Sequence, residues 1–269
     1  LNNKIGLLAG KGTLPHVFLK EAKKKNLELV IFTISGEADK SIEKYGYKIY
    51  ELKITQLGSI LKMLKKENIK NLIMLGYIRH TNLLKKIKFD FKSLLVLLRA
   101  KDLRAASLIR EIIREFEKNG VRIMPSTYLM EDSIAGRGPA GKSRPSGKDM
   151  KNIKLGFSMA KKIASMDIGQ TVIVKNGIIV AVEAQEGTDE CIKRGAKIAG
   201  RDFIVVKTAR KSQDLRYDIP TIGATTVSLI KKYGGKGIAV EAGKTFLIEK
   251  EKLINFADKE KIFIYGAEE

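Results

Sequence analysis

The 269-residue sequence has one cysteine, two histidines and no tryptophan. With Cys191 alone, no internal disulfide and no Cys-rich zinc site can form, which fits a reducing compartment. His16 and His80 leave little from which to build a His-based metal centre or a Ser–His–Asp triad. No apolar run reaches the length of a membrane span; the longest candidate, residues 91–100, is short and broken by charge. The opening residues 1–12 read as a strand and turn, not as a signal peptide. Aromatic residues make up 7% of the chain and no RNA-binding aromatic motif appears. The expectation is a soluble, cytoplasmic protein with no nucleic-acid partner.

What the chain has in excess is positive charge, +21 at neutral pH. Such a field attracts nucleotides, nucleic acid or an acidic membrane surface. Much of the lysine sits in runs such as residues 20–26, which read as solvated helix faces. At 44%, hydrophobic residues suffice for a real core, and the length suits one large domain or two of ordinary size. Apolar strands at 4–9, 27–34 and 71–76 alternate with helical spacing at 55–67 and 101–119, and residues 121–125 follow as a strand. This rhythm predicts a parallel sheet with helices on both faces over residues 1–132. Residues 133–149, rich in Gly, Pro and Ser, read as a linker or mobile loop. Residues 150–269 read as a second α/β domain, with a cleft between the two. It opens with a helix at 150–166 and a hairpin around Asn176-Gly177, a pair that supplies the positive φ of a tight turn. Strands at 203–207, 237–242, 245–249 and 262–266 follow, with helices at 188–198, 224–233 and 250–259.

Four stretches carry candidate chemistry. Gly10 and Gly12 stand between the first strand and a helix with Pro15 in its first turn. The stretch reads either as a plain connection or as a phosphate-binding turn. The dinucleotide fingerprint is incomplete, and the Walker spacing is absent. Glu183, Glu186 and Asp189 end a strand; three carboxylates there suggest oxygen ligands for magnesium, while Thr188 is placed to cap the next helix. The stretch from Gln213 to Gly223, "QDLRYDIPTIG", puts Asp214, Arg216 and Asp218 on one side of an extended segment. That is either an exposed strand with self-paired charges or a carboxylate pair for a divalent cation or an attacking water. Lys207, Arg210 and Lys211 lie just before it and suit a bound phosphate. Glu241 and Lys244, in "AVEAGKT", end another strand and are the least distinctive.

In this order, "GLLAGKGTLP", "VAVEAQEGTDE", "QDLRYDIPTIG" and "AVEAGKTFLIE" resemble the UDP-2,3-diacylglucosamine pyrophosphohydrolases of lipid A synthesis, over nearly the whole chain. The resemblance implies an N-terminal Rossmann-like domain, a C-terminal α/β domain of the family's own type, and magnesium (manganese as a substitute). It implies hydrolysis of the substrate's diphosphate to UMP and 2,3-diacylglucosamine 1-phosphate, lipid X, at the cytoplasmic face of the inner membrane. It places Asp214, Asp218 and Arg216 in catalysis, with Asp214, Asp218, Glu183 and Asp189 toward the metal. Gly10, Gly12, Leu14, Pro15, Thr188, Lys207 and Gln213 fall to substrate binding. There is one departure. Where members carry an Asp pair at the start of the long N-domain helix, this chain has Ala105-Ala106, with Asp102 and Arg104 one turn earlier. A non-catalytic nucleotide or nucleotide-sugar binder is the alternative from another class.

Overall fold

The computed structural model describes residues 4–35, 39–53, 55–77, 89–102, 105–210, 213–214 and 216–268, with backbone alone for Ala105 and Ala106. His80, Arg104 and Lys211 lie outside the described residues. The chain divides into two compact units: Leu1–Met130 with Leu215–Tyr217, and Glu131–Asp214 with Asp218–Glu269.

The first unit runs β1 (Ile5–Ala9), α1 (Leu14–Lys24), β2 (Leu29–Ile34), a 3-10 turn at Lys40–Tyr45, β3 (Lys48–Leu52), α2 (Leu57–Lys66), β4 (Asn71–Leu75), α3 (Phe91–Arg99), α4 (Ala105–Lys118) and β5 (Arg122–Ile123). All of its strand pairs are parallel, in the order β3-β2-β1-β4-β5. β1 and β2 are continuous apolar runs buried on both faces, as a parallel sheet covered by helices requires. Leu8, Val30 and Phe32 pack with Leu61 and Leu64 of α2, Val96 of α3 and Phe116 of α4. The Rossmann-like expectation is met here, because alternating apolar runs and amphipathic helices admit few other solutions.

The second unit runs β6 (Gly138–Pro139), α5 (Gly147–Ser165), β7 (Thr171–Lys175), β8 (Ile178–Val182), α6 (Thr188–Ala199), β9 (Ile204–Lys207), β10 (Thr221–Ile222), α7 (Ala224–Lys232), β11 (Gly237–Glu241), β12 (Phe246–Leu247), α8 (Lys250–Lys259) and β13 (Phe263–Ala267). Its main sheet has the order β6-β13-β11-β9-β7-β8. The β9, β11 and β13 pairs are parallel, while β6, β7 and β8 enter antiparallel. The period-2 alternation of side chains is visible in β9. Ile204 and Val206 face α5, and Val205 faces the core built by α6, α7 and α8.

Two expectations change. Residues 133–149, read as a linker, lie inside the second unit. Gly138 and Pro139 pair with β13, the Ala140 N–H donates to the Ile264 carbonyl, and Ser146 with Asp149 forms a capping box that starts α5 three residues early. Gly and Pro serve here to fit an edge strand, not to free the chain. The strand expected at 245–249 is only Phe246–Leu247, in a separate two-stranded ladder with β10.

Candidate functional site

In open α/β sheets ligands gather outside the carboxyl ends of the parallel strands. In the second unit that end is marked by Lys207, the last residue of β9, and Glu241, the last of β11. Thr171 opens β7 directly opposite Lys207. Glu183 follows β8, and its N–H donates to the Thr171 carbonyl at 2.8 Å.

Lys207 is only 8% exposed. Its ammonium donates to the Thr188 hydroxyl at 3.2 Å and to the Thr221 carbonyl at 3.1 Å. Burial pushes the Lys207 pKa down, and the negative charges of Glu183, Asp189 and Asp218 oppose that without cancelling it. Thr188 donates to Glu183 Oε1 at 3.0 Å and lies 3.3 Å from the Thr171 hydroxyl. The second Glu183 oxygen accepts from the Gln170 N–H at 3.2 Å. A chain of contacts thus runs Gln170–Glu183–Thr188–Lys207. Thr188 is not the helix cap expected of it. Gly187, at φ 83°, is the N-cap of α6, which releases the Thr188 hydroxyl for Glu183 and Lys207.

The other candidates are arranged differently from the sequence reading. Glu183, Glu186 and Asp189 are not one cluster: Glu186 pairs with Arg194, which with the Ala184 N–H lowers its pKa. The Asp218 N–H donates to the Asp214 carbonyl at 2.9 Å, closing a turn, so the alternating polar face does not form. Arg216 Nη1 pairs with Glu117 at 2.7 Å, and Tyr217 packs on the first unit's core. Gln213 Oε1 accepts from the Arg210 N–H at 2.9 Å, which ties the loop to itself. Glu241, 6% exposed, is saturated by Lys161, Lys244 and the Ala209 N–H. Burial raises its pKa, but these partners outweigh it and the net shift is downward. Lys161, from α5, was missed by sequence reasoning; a lysine mid-helix looks like any other.

In the first unit the glycine turn is explained by backbone contact. The Gly10 N–H donates to the Leu75 carbonyl, and Lys11 and Tyr77 exchange backbone hydrogen bonds at 2.9 and 3.0 Å. A Cβ on Gly10 would meet the Tyr77 carbonyl oxygen at 2.7 Å, and one on Gly76 the Lys11 carbonyl oxygen at 2.5 Å. Those two N–H groups are therefore committed. Gly12, at φ 107°, leads into α1, where Leu14 and Pro15 form the first turn.

Among the described residues no three His, Cys, Asp or Glu side chains stand together to hold a metal ion. Magnesium needs only one or two carboxylates when phosphate oxygens and water complete its shell. The turn that the Asp218 N–H closes on the Asp214 carbonyl brings two acidic residues together, the number that lesser role needs; Glu183 has both oxygens engaged by Gln170 and Thr188. Buried Gln170 Oε1, Thr208 Oγ1, Thr245 Oγ1 and Arg210 Nε have no hydrogen-bond partner among the described residues. Gln170, Thr208 and Arg210 adjoin Lys207 through the chain or the Thr208–Gln170 backbone bond, and orphaned polar groups are what a ligand would satisfy. A cavity of about 280 Å³ lies at the opposite ends of these strands, lined by Arg201, Gly235, Lys236 and Phe263, and contains none of these groups.

Fold and site together define a two-unit α/β protein with a buried ammonium and nearby carboxylates at the carboxyl ends of parallel strands. The chain belongs to the LpxI family: residues 4–133 match the LpxI N-terminal domain and residues 136–265 the LpxI C-terminal domain. It is 30% identical to the UDP-2,3-diacylglucosamine pyrophosphatase LpxI of Caulobacter vibrioides over 279 aligned residues, covering 98% of each chain. The biotin carboxylase subunit of pyruvate carboxylase gives a TM-score of 0.29 at 13% identity, over 74% of this chain and 42% of that one, and carries no argument.

Proposed function

We propose that this protein is a magnesium-dependent hydrolase that cleaves the diphosphate of UDP-2,3-diacylglucosamine, releasing UMP and 2,3-diacylglucosamine 1-phosphate for lipid A biosynthesis. The observation that carries the reading is the full-length likeness to the Caulobacter pyrophosphatase. The geometry is compatible with it. Lys207 offers a desolvated positive charge, whose attraction for a phosphate oxygen is stronger there than in water. Glu183 holds Thr188, and Thr188 holds the ammonium in place. The unpartnered Arg210 Nε and Thr208 hydroxyl are further donors for phosphate oxygens. Asp214 and Asp218 are the residues that would hold the ion and orient the attacking water. When bound, magnesium neutralises charge on the diphosphate. The enzyme works at the cytoplasmic face of the inner membrane, where its substrate resides.

The test is UMP release. Exhaustive chelation should abolish it, and Mg²⁺ or Mn²⁺ should restore it. Asp214→Ala or Asp218→Ala should lower turnover by on the order of 10²–10³ while melting temperature and substrate affinity hold. Full activity after chelation sinks the metal requirement. Near-normal turnover in both variants moves the chemistry elsewhere. Tight substrate binding without UMP release under any condition would mean a binding protein.

A further inference from the structure

Helix α3 carries apolar side chains on its outer face as well as its inner one. Its inner face is short: Ser93 and Val96 are buried, and the Ser93 hydroxyl accepts from the Leu57 N–H at 3.0 Å. Its outer face is apolar. Phe91 is 72% exposed, Leu94 47% and Leu98 74%, at positions i, i+3 and i+7 of one stripe, with Phe89 39% exposed just before them. Nine large apolar side chains are exposed among the described residues, and four of them fall within these ten positions. That clustering marks an interaction surface, where scattered single residues would not.

Charge selects the partner. Between Phe89 and Asp102 the chain carries Lys92, Arg99 and Lys101 against Asp90 and Asp102, within a net charge of +21. Asp90 is turned inward: its carboxylate accepts from the Ser93 N–H at 2.8 Å and the Gly58 N–H at 2.7 Å, capping α3. Lys92 and Arg99 flank the stripe. Both pair with buried Glu115, yet remain 39% and 45% exposed. Lys101 is exposed just past the helix end. A second copy of the chain would bring the same positive charge against this one, and an acidic surface would not.

We propose that α3, through Phe91, Leu94 and Leu98 with Lys92, Arg99 and Lys101 around them, is the face by which the protein docks on an anionic lipid bilayer. An amphipathic helix of this kind lies in the interface, its apolar side chains among the acyl chains and its cations at the headgroups. The assignment deepens the reading of the substrate as a membrane lipid and rests on it for its purpose, though not for its test.

The test is co-sedimentation with vesicles of phosphatidylglycerol and phosphatidylethanolamine, against vesicles of phosphatidylcholine alone. The wild-type protein should bind the anionic vesicles and be released by salt. A Phe91→Ser, Leu94→Ser, Leu98→Ser triple variant should bind at least about tenfold more weakly, with unchanged melting temperature and unchanged hydrolysis of substrate dispersed in neutral detergent. Equal binding by variant and wild type overturns the proposal, as does no binding by the wild type. A wild-type dimer that the triple variant dissolves, with no vesicle binding, assigns the face to a second copy. Equal loss of hydrolysis in detergent and in vesicles assigns it to the substrate's acyl chains. Vesicle binding without UMP release would leave the docking face standing and sink the assigned activity.

Discussion

Lys207 has little water around it and two fixed acceptors, so its charge is available only to something that enters the site. Lys207→Met should lower kcat/KM by on the order of 10²–10³, while Thr188→Val, which keeps the ammonium but frees it, should cost less. Wild-type turnover in Lys207→Met would make the ammonium structural. The sequence marked Lys207, Thr188, Glu183 and Asp218, because short polar motifs at strand ends are legible as such. It did not show that Glu183 serves Thr188, or that Arg216 turns to Glu117, since partners far apart in sequence meet only through the fold. Two further residues carry predictions of their own. Cys191 is fully buried, and burial pushes its thiol up to about 12. It should resist iodoacetamide at neutral pH until the protein unfolds; rapid native labelling would show that the second unit's core opens. Glu67 accepts from Lys4 at 2.8 Å, Lys48 at 2.7 Å and the Tyr50 hydroxyl. These bonds, Lys4's first, hold its pKa at about 2, below the ordinary 4.5. A depressed carboxylate stabilises the fold fully above its unfolded pKa and ceases to as pH falls from about 4.5 toward 2. Melting temperature should therefore fall over that window, and less steeply in Glu67→Gln; parallel curves would assign the acid loss to other carboxylates.

At the scale of elements, what could be read was periodicity and turn chemistry. The hairpin β7–β8 lies where Asn176-Gly177 put it, with φ 49° and 77°. β6 and β10 were not legible: two-residue strands have no period, and only their partners define them. Helix α5 shows how packing overrides propensity. An exposed mid-helix Gly→Ala change ordinarily stabilises by about 1 kcal/mol. Gly156, however, lies against β7 and β9, where a Cβ would meet Val206 Cγ2 at 2.6 Å and Val174 Cγ2 at 2.7 Å. Gly156→Ala should instead destabilise, by about 1–3 kcal/mol, the cost of overpacking a filled core. Chemical denaturation measures the sign directly, and a stabilised variant would mean that α5 can stand off from the sheet. The start of the same helix depends on Asp149, 4% exposed, which closes the capping box and accepts from Lys236 at 2.6 and 2.8 Å. Burial raises the Asp149 pKa, yet Lys236 and Ser146 outweigh it and the net shift is downward. Residues 133–149 are thereby anchored at both ends, so protease should cut them no faster than other surface loops of the second unit.

For the whole molecule, the property that no local motif contains is the charge, 51 Lys and Arg against 30 Asp and Glu. Among the described residues no helix is long and apolar enough to cross a membrane. A net +21 field over such a surface acts at a range set by the Debye length, about 10 Å at 0.1 M salt and about 3 Å at 1 M. If the field gathers the protein onto the anionic membrane that carries its substrate, salt should act on encounter and not on the chemical step. Hydrolysis of substrate in phosphatidylglycerol vesicles should then slow severalfold as salt rises from low to high, through KM, with kcat held. The same substrate in neutral detergent micelles should be far less sensitive. A fall of equal size in both carriers would place the field's effect on the diphosphate at Lys207 and its neighbours, since that group is present in either. A fall in kcat in both would point to weakened binding of the divalent ion, and added Mg²⁺ at constant ionic strength would then restore the rate. Insensitivity in both would leave the +21 charge as solvation of lysine-rich helix faces, with no part in catalysis.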